Sequence, residues 1–106
     1  MQYDIDMTSK HKSLFLQIRS FLLSLYDINE KKKDRITTYS NSKGGICHMR
    51  TMPYGVDIGF LKGAKMEDGL NALSGNGKAM RVLKIMDFDQ NVIEYYLRQA
   101  IEINNQ

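Results

Sequence analysis

The chain contains a single cysteine, Cys47, and a single proline, Pro53, among its 106 residues. One thiol cannot close an internal disulfide, nor can it supply the cysteine cluster that holds zinc or an iron–sulfur centre within one chain. Histidine is nearly as scarce, with only His11 and His48. A histidine-centred catalytic site therefore has to be built on His48, because His11 lies near the exposed start of the first predicted helix. Also missing is any apolar stretch of about 18 residues, the length a membrane-spanning helix needs. The opening Met1-Gln2-Tyr3-Asp4-Ile5-Asp6 lacks the basic and apolar regions of a signal peptide, so a cytoplasmic location without membrane contact is expected.

What is present suits one compact unit. A chain of 106 residues with 42% hydrophobic content buries roughly two thirds of its unfolded surface around one core, which predicts a single domain spanning residues 1–106. The net charge of +3 is unevenly spread: residues 1–34 carry six Lys and Arg against five acids, 35–86 carry eight against three, and 87–106 carry one against four. A basic middle and an acidic C-terminal segment either complement each other within the fold or give the surface a basic face. A mixed, solvated surface is the plainer expectation.

From Thr8 to Tyr26, Leu14, Phe15, Ile18, Phe21, Leu22 and Leu25 fall on one helical stripe. Lys31-Lys32-Lys33-Asp34 then reads as a short solvated connector. The period next changes to that of strands, predicted over 35–40, 45–51 and 56–61. Asn41-Ser42-Lys43-Gly44 marks the first turn, and Met52-Pro53-Tyr54-Gly55, with Pro53 suited to the second turn position, marks the next. Residues 66–73 suggest a helical turn and 79–85 a last strand. Asp87 and Gln90 have capping-box spacing for a final helix with Val92, Ile93, Tyr96, Leu97 and Ala100 on its buried stripe. The expected fold is α+β: a two-layer sandwich in which an antiparallel meander of about four strands packs against N-terminal and C-terminal helices.

None of the candidate sites encodes a reaction. Gly75-Asn76-Gly77-Lys78 invites comparison with a phosphate loop, but Ala72 and Ala79 stand where that motif needs glycine and a hydroxyl residue. The dinucleotide fingerprint fails too, since Met80 occupies its third small position. A simpler anion site remains open, with Lys62, Lys65, Lys78, Arg81 and Lys84 gathered around turns whose backbone N–H groups form a nest, and with Lys62, Lys78 and Arg81 as its foremost residues. The alternative is that the glycines only shape the turn, while Lys78 and Arg81 reach Glu94 or Asp87. Cys47 and His48 are adjacent in a predicted strand and so point to opposite faces, which predicts a packed Cys47 and a solvent-facing His48. Tyr39, Tyr54, Phe60, Tyr95 and Tyr96 either line a pocket or offer stacking platforms, though most are expected in the core; the scattered methionines suit core filling, and no paired aromatic signature of RNA recognition is present. No carboxylate pair has spacing that marks acid–base chemistry. A binding domain rather than an enzyme is expected, with a protein or small-molecule partner and no nucleic acid.

The stretch from Gly59 to Arg81 carries a further pattern: Phe60, Gly63, Asp68, Leu73, Gly75, Gly77, Lys78 and Arg81. In this it resembles the YdhG-like domain family of small uncharacterised proteins, and the resemblance extends more weakly to both terminal helices. Gly69 stands where that family commonly has proline. The family is grouped by fold with frataxin-like proteins, and one member is described as an iron chaperone, so the resemblance implies weak iron binding by carboxylates and no tightly bound cofactor. Frataxin-type binding uses acids on the first helix and first strand, and oxygen ligands suit hard iron. Residues 8–26 contain no Asp or Glu, and the nearest substitute is Asp27, Glu30 and Asp34. The other use the sequence suggests is a ligand- or protein-binding pocket beside the loop from Gly63 to Lys78.

Overall fold

The computed structural model describes all 106 residues. The helix expected over residues 8–26 is α2 (Lys12–Leu23), and a helix that was not expected, α1 (Gln2–Thr8), precedes it. Ser9, with ψ of 148°, ends α1 in an extended conformation, and its hydroxyl accepts from the His11 N–H to start the next turn. The stripe in α2 is as read, with Leu14, Phe15, Ile18 and Leu22 buried. Periodicity misses α1 because its seven residues place only Tyr3 and Met7 against the core, too few to set a stripe. Its one fully buried residue is Asp6, whose Oδ1 accepts from the Thr51 N–H at 2.9 Å, the Thr51 hydroxyl at 2.7 Å and Gln2 Nε2 at 2.9 Å.

Six antiparallel strands follow where about four were expected: β1 (Asn29–Lys32), β2 (Thr37–Asn41), β3 (Gly44–Met52), β4 (Gly55–Phe60), β5 (Leu73–Ser74) and β6 (Arg81–Ile85), in the order β1-β2-β3-β4-β6-β5. The first half of the lysine-rich connector, Lys31 and Lys32, is thus part of an edge strand, and Lys33 and Asp34 lead out of it. Its alternation is charged rather than apolar: Glu30 faces the helices, and Lys32 lies with its ammonium 3.8 Å from the centre of the Tyr3 ring. β5 is only two residues long, and the helical turn expected at 66–73 lies instead at Gly63–Lys65.

In β3, Tyr39 pairs with Cys47 but Ser40 with Gly45, so Ile46 is an extra residue and both Ile46 and Cys47 turn into the core. The turn at Pro53-Tyr54 leads into Gly55, whose φ of +154° and close approach to the Ile85 carbonyl leave no room for a β-carbon. The last helix, α3 (Gln90–Asn104), is capped by Asp89 rather than Asp87, its carboxylate accepting from the Asn91 and Val92 N–H groups. With Asp87 two residues too early, the capping-box geometry does not form. Helices α2 and α3 cover one face of the sheet, where Tyr39, Cys47, Met49, Ile58 and Phe60 meet Phe15, Ile18, Tyr96 and Leu97 in one core of 17 buried residues.

Candidate functional site

The strand registers define a row of residues across the face that no helix covers. Lys31 pairs with Thr38, Thr38 with His48, His48 with Gly59, Gly59 with Val82 and Val82 with Ser74. Alongside runs a second row in which Arg50 pairs with Asp57 and Asp57 with Lys84. Because residues two apart on a strand share a face, His48 and Arg50 stand together, with Arg35 and Ile36 beside them. They surround a cavity of ≈ 290 Å³ floored by Gly59 and Val82.

Gly59 shapes that floor. A β-carbon there would lie 2.9 Å from His48 Cε1 and 3.1 Å from Met80 Cε, so the imidazole and the methionine tip settle against bare backbone. His48 is half-buried, and its pKa is lowered, first by burial and then by the positive charges of Arg50 and Lys33. The imidazole is therefore neutral near pH 7. Asp57, the acid of this cavity, accepts from the Tyr54 hydroxyl, while burial, followed by the carboxylate, pushes the Tyr54 pKa up to about 12. Lys84 Nζ lies 5.5 Å from the centre of the Tyr54 ring. Arg35, Arg50 and Lys84 are exposed and take part in no salt bridge. Cationic donors above a shallow apolar floor make this face chemically suited to an anion.

The basic residues expected around the glycine-rich loop are engaged separately. Lys62 Nζ donates to Asn104 Oδ1 at 2.8 Å, joining a polar clamp in which Asn104 also donates to Asn41 and the Gly44 carbonyl. Arg81 Nη1 donates to the carbonyls of Gly77 and Met80, both at 2.7 Å, holding the loop closed. Lys78 is exposed with no hydrogen bond. These three residues do not converge on one anion site, and neither Lys78 nor Arg81 bridges to Glu94 or Asp87. Asp68 shapes the loop, accepting from the Tyr96 hydroxyl at 2.5 Å and from the Ala72 and Leu73 N–H groups. Gly69 lies beneath Tyr95, whose hydroxyl would be 2.5 Å from an added β-carbon. A cavity of ≈ 350 Å³ does lie beside this loop, lined by Lys65, Glu67, Tyr95 and Gln99. Its polar groups are partly committed: Gln99 bonds both the N–H and the carbonyl of Glu67.

The expected metal ligands are also separated by their partners. Glu30 receives a bidentate ion pair from Arg19, at 2.6 and 2.8 Å, and a bond from the Tyr39 hydroxyl at 2.9 Å. The Arg19 hydrogen bonds hold its pKa below the usual carboxylate range. Asp27, at φ of +61°, accepts from the Ser42 N–H, while Asp34 is exposed. No cluster of three His, Cys, Asp or Glu side chains is placed to hold a metal ion. The trio does not fit iron, because Glu30 already answers to Arg19 and Tyr39. Cys47 and His48 occupy opposite faces as expected; the thiol is wholly buried, which pushes its pKa up to about 12.

Arg35, Arg50, Asp57 and Lys84 were not legible as a group in the sequence. The strand alternation places His48 beside Arg50, but only the cross-strand register brings in Asp57 and Lys84. No protein-family model, curated protein or solved structure matches the chain. No helix is long and apolar enough to cross a membrane.

Proposed function

We propose that the protein is a non-enzymatic binding domain that receives an anionic ligand on the uncovered face of its sheet, at Arg35, His48 and Arg50. The observation that carries this reading is the convergence of these side chains on one cavity, without a salt-bridge partner to neutralise either arginine. Binding rather than catalysis is favoured by the surroundings of His48. The charges that shift it are both positive, so no carboxylate holds the imidazole as an oriented general base.

Pyrophosphate is a suitable probe, because its two phosphoryl groups match paired guanidinium donors. Titration followed by NMR should move the His48 imidazole and Arg50 amide signals while leaving His11 unchanged. Arg35→Ala/Arg50→Ala should weaken binding at least tenfold. Equal shifts across Lys10, Lys12 and the sheet face, or undiminished binding by the double variant, would exclude the proposed site.

A further inference from the structure

The basic character of the uncovered face continues well beyond the cavity. Lys31 stands on edge strand β1, Arg50 on β3 and Lys84 on β6, so the positive groups span four strand spacings, about 19 Å. Lys33 adds to this side through the turn it forms with Ile36, whose carbonyl accepts its N–H at 3.0 Å. An isolated phosphate ion would leave most of these charges unused. A chain carrying regularly spaced charges would not.

We infer that the partner of this face is single-stranded nucleic acid, laid across the strands with its phosphates on Lys31, Arg50 and Lys84 and one base in the cavity above Gly59. This rests on the anion-binding reading of the same face.

Several observations favour such a strand over other polyanions. The cavity has an apolar floor, with Ile36 and Val82 lining it and the Met80 tip against Gly59, which suits the flat face of a base. Asp57 offers an acceptor at the cavity wall for an N–H group of a base, a donor that the ionised side chains of an acidic peptide lack. Ile36 and Val82 are half-buried between exposed cations, and the exposed Met80 rests its tip on Gly59, so this face offers little apolar surface for insertion into a membrane. A single strand brings unstacked bases to such a cavity, whereas a duplex keeps its bases paired and out of reach.

The test is fluorescence anisotropy of labelled ten-nucleotide DNA and RNA strands of mixed sequence, at 50 to 200 mM salt, with thermal melts to confirm folding. Strand binding should be at least tenfold tighter than pyrophosphate binding and should weaken with salt. Arg50→Ala/Lys84→Ala should reduce affinity at least tenfold and lower the log–log salt slope by about 0.7 for each phosphate no longer neutralised. Lys10→Ala/Lys12→Ala, altered at the start of α2, should change affinity less than twofold. Pyrophosphate binding without tighter strand binding would overturn the nucleic-acid inference and leave the anion site standing. Failure of both probes would overturn both. Preferential binding of poly-glutamate or of phosphatidylserine vesicles would instead assign the face to an acidic protein or a membrane and overturn the inference.

Discussion

Successive residues of β3 serve opposite sides of one sheet. Cys47 and Met49 are wholly buried under the helices, whereas His48 and Arg50 face the uncovered side. The covered side gains stability from apolar area removed from water, so each of its positions is constrained in size and polarity. On the uncovered side an exposed charge adds little to stability. The same backbone can therefore carry a fixed core and a chemically free surface. The difference teaches where changes in function can arise without loss of the fold.

The strongest way to break the comparison is at the covered face. Ile58→Ala removes a fully buried side chain from the middle of the sheet and should cost about 3 kcal/mol in urea denaturation, within the range for large-to-small core changes. At a temperature where the variant remains folded, its pyrophosphate affinity should match that of the native chain. A large loss of affinity without unfolding would mean that the two faces are coupled.

A smaller effect is expected at the edge, where Glu30→Gln weakens the charge-assisted bonds from Arg19. The cost at pH 7 should be about 1.5 kcal/mol by chemical denaturation. Because the folded pKa of Glu30 lies below its unfolded value, the unfolded chain takes up the proton first as the solution is acidified. The native protein should lose this contribution as pH falls from about 4.3 through the lower folded pKa, and the variant should lack that part of the decline. Identical acid titrations would remove the ion pair from the account of β1.

His48→Gln sharpens the comparison with the smallest effect on stability, within about 0.5 kcal/mol at pH 8. Since the folded pKa of His48 is lowered, native stability should decline as pH falls below about 6.5, where the unfolded imidazole protonates first, and the variant should lack this decline. The contribution of His48 to binding should run in the opposite direction. Protonated His48, facing Lys33, Arg35, Arg50 and Asp57, adds a positive charge to the site; pyrophosphate itself gains protons over this range, so its affinity should fall less on acidification in the native chain than in the variant. Calorimetry at pH 5.5 and 8 checks both trends, and equal slopes would place His48 outside the site.

Some of this was legible along the chain. The stripes of α2 and α3 and the alternation through β3 and β4 are periodic, and each position reports its face from its near neighbours. The helix α1 and strand β1 are not legible in that way. Asp6 is held by Thr51, 45 positions on, and Glu30 by Arg19 and Tyr39, while α1 places only Tyr3 and Met7 on the core and β1 has no apolar residue. Between β4 and β6 the glycine-rich stretch reads only as turns, although a short helix (Gly63–Lys65) and β5 lie within it. Its cations gave no hint that Arg81 would turn to the carbonyls of its own loop and Lys62 to Asn104.

By itself, then, the sequence determined an α+β chain in which residues such as Cys47 and His48 must part to opposite faces, because the strand period is a local property of the backbone. Only the tertiary structure decided that His48, Arg50, Asp57 and Lys84 would lie side by side, and that Asp27, Glu30 and Asp34 would be drawn apart. Cross-strand register and the partly buried Arg19–Glu30 ion pair are contacts between distant residues, and the balance among them is settled when the whole sheet closes over its core.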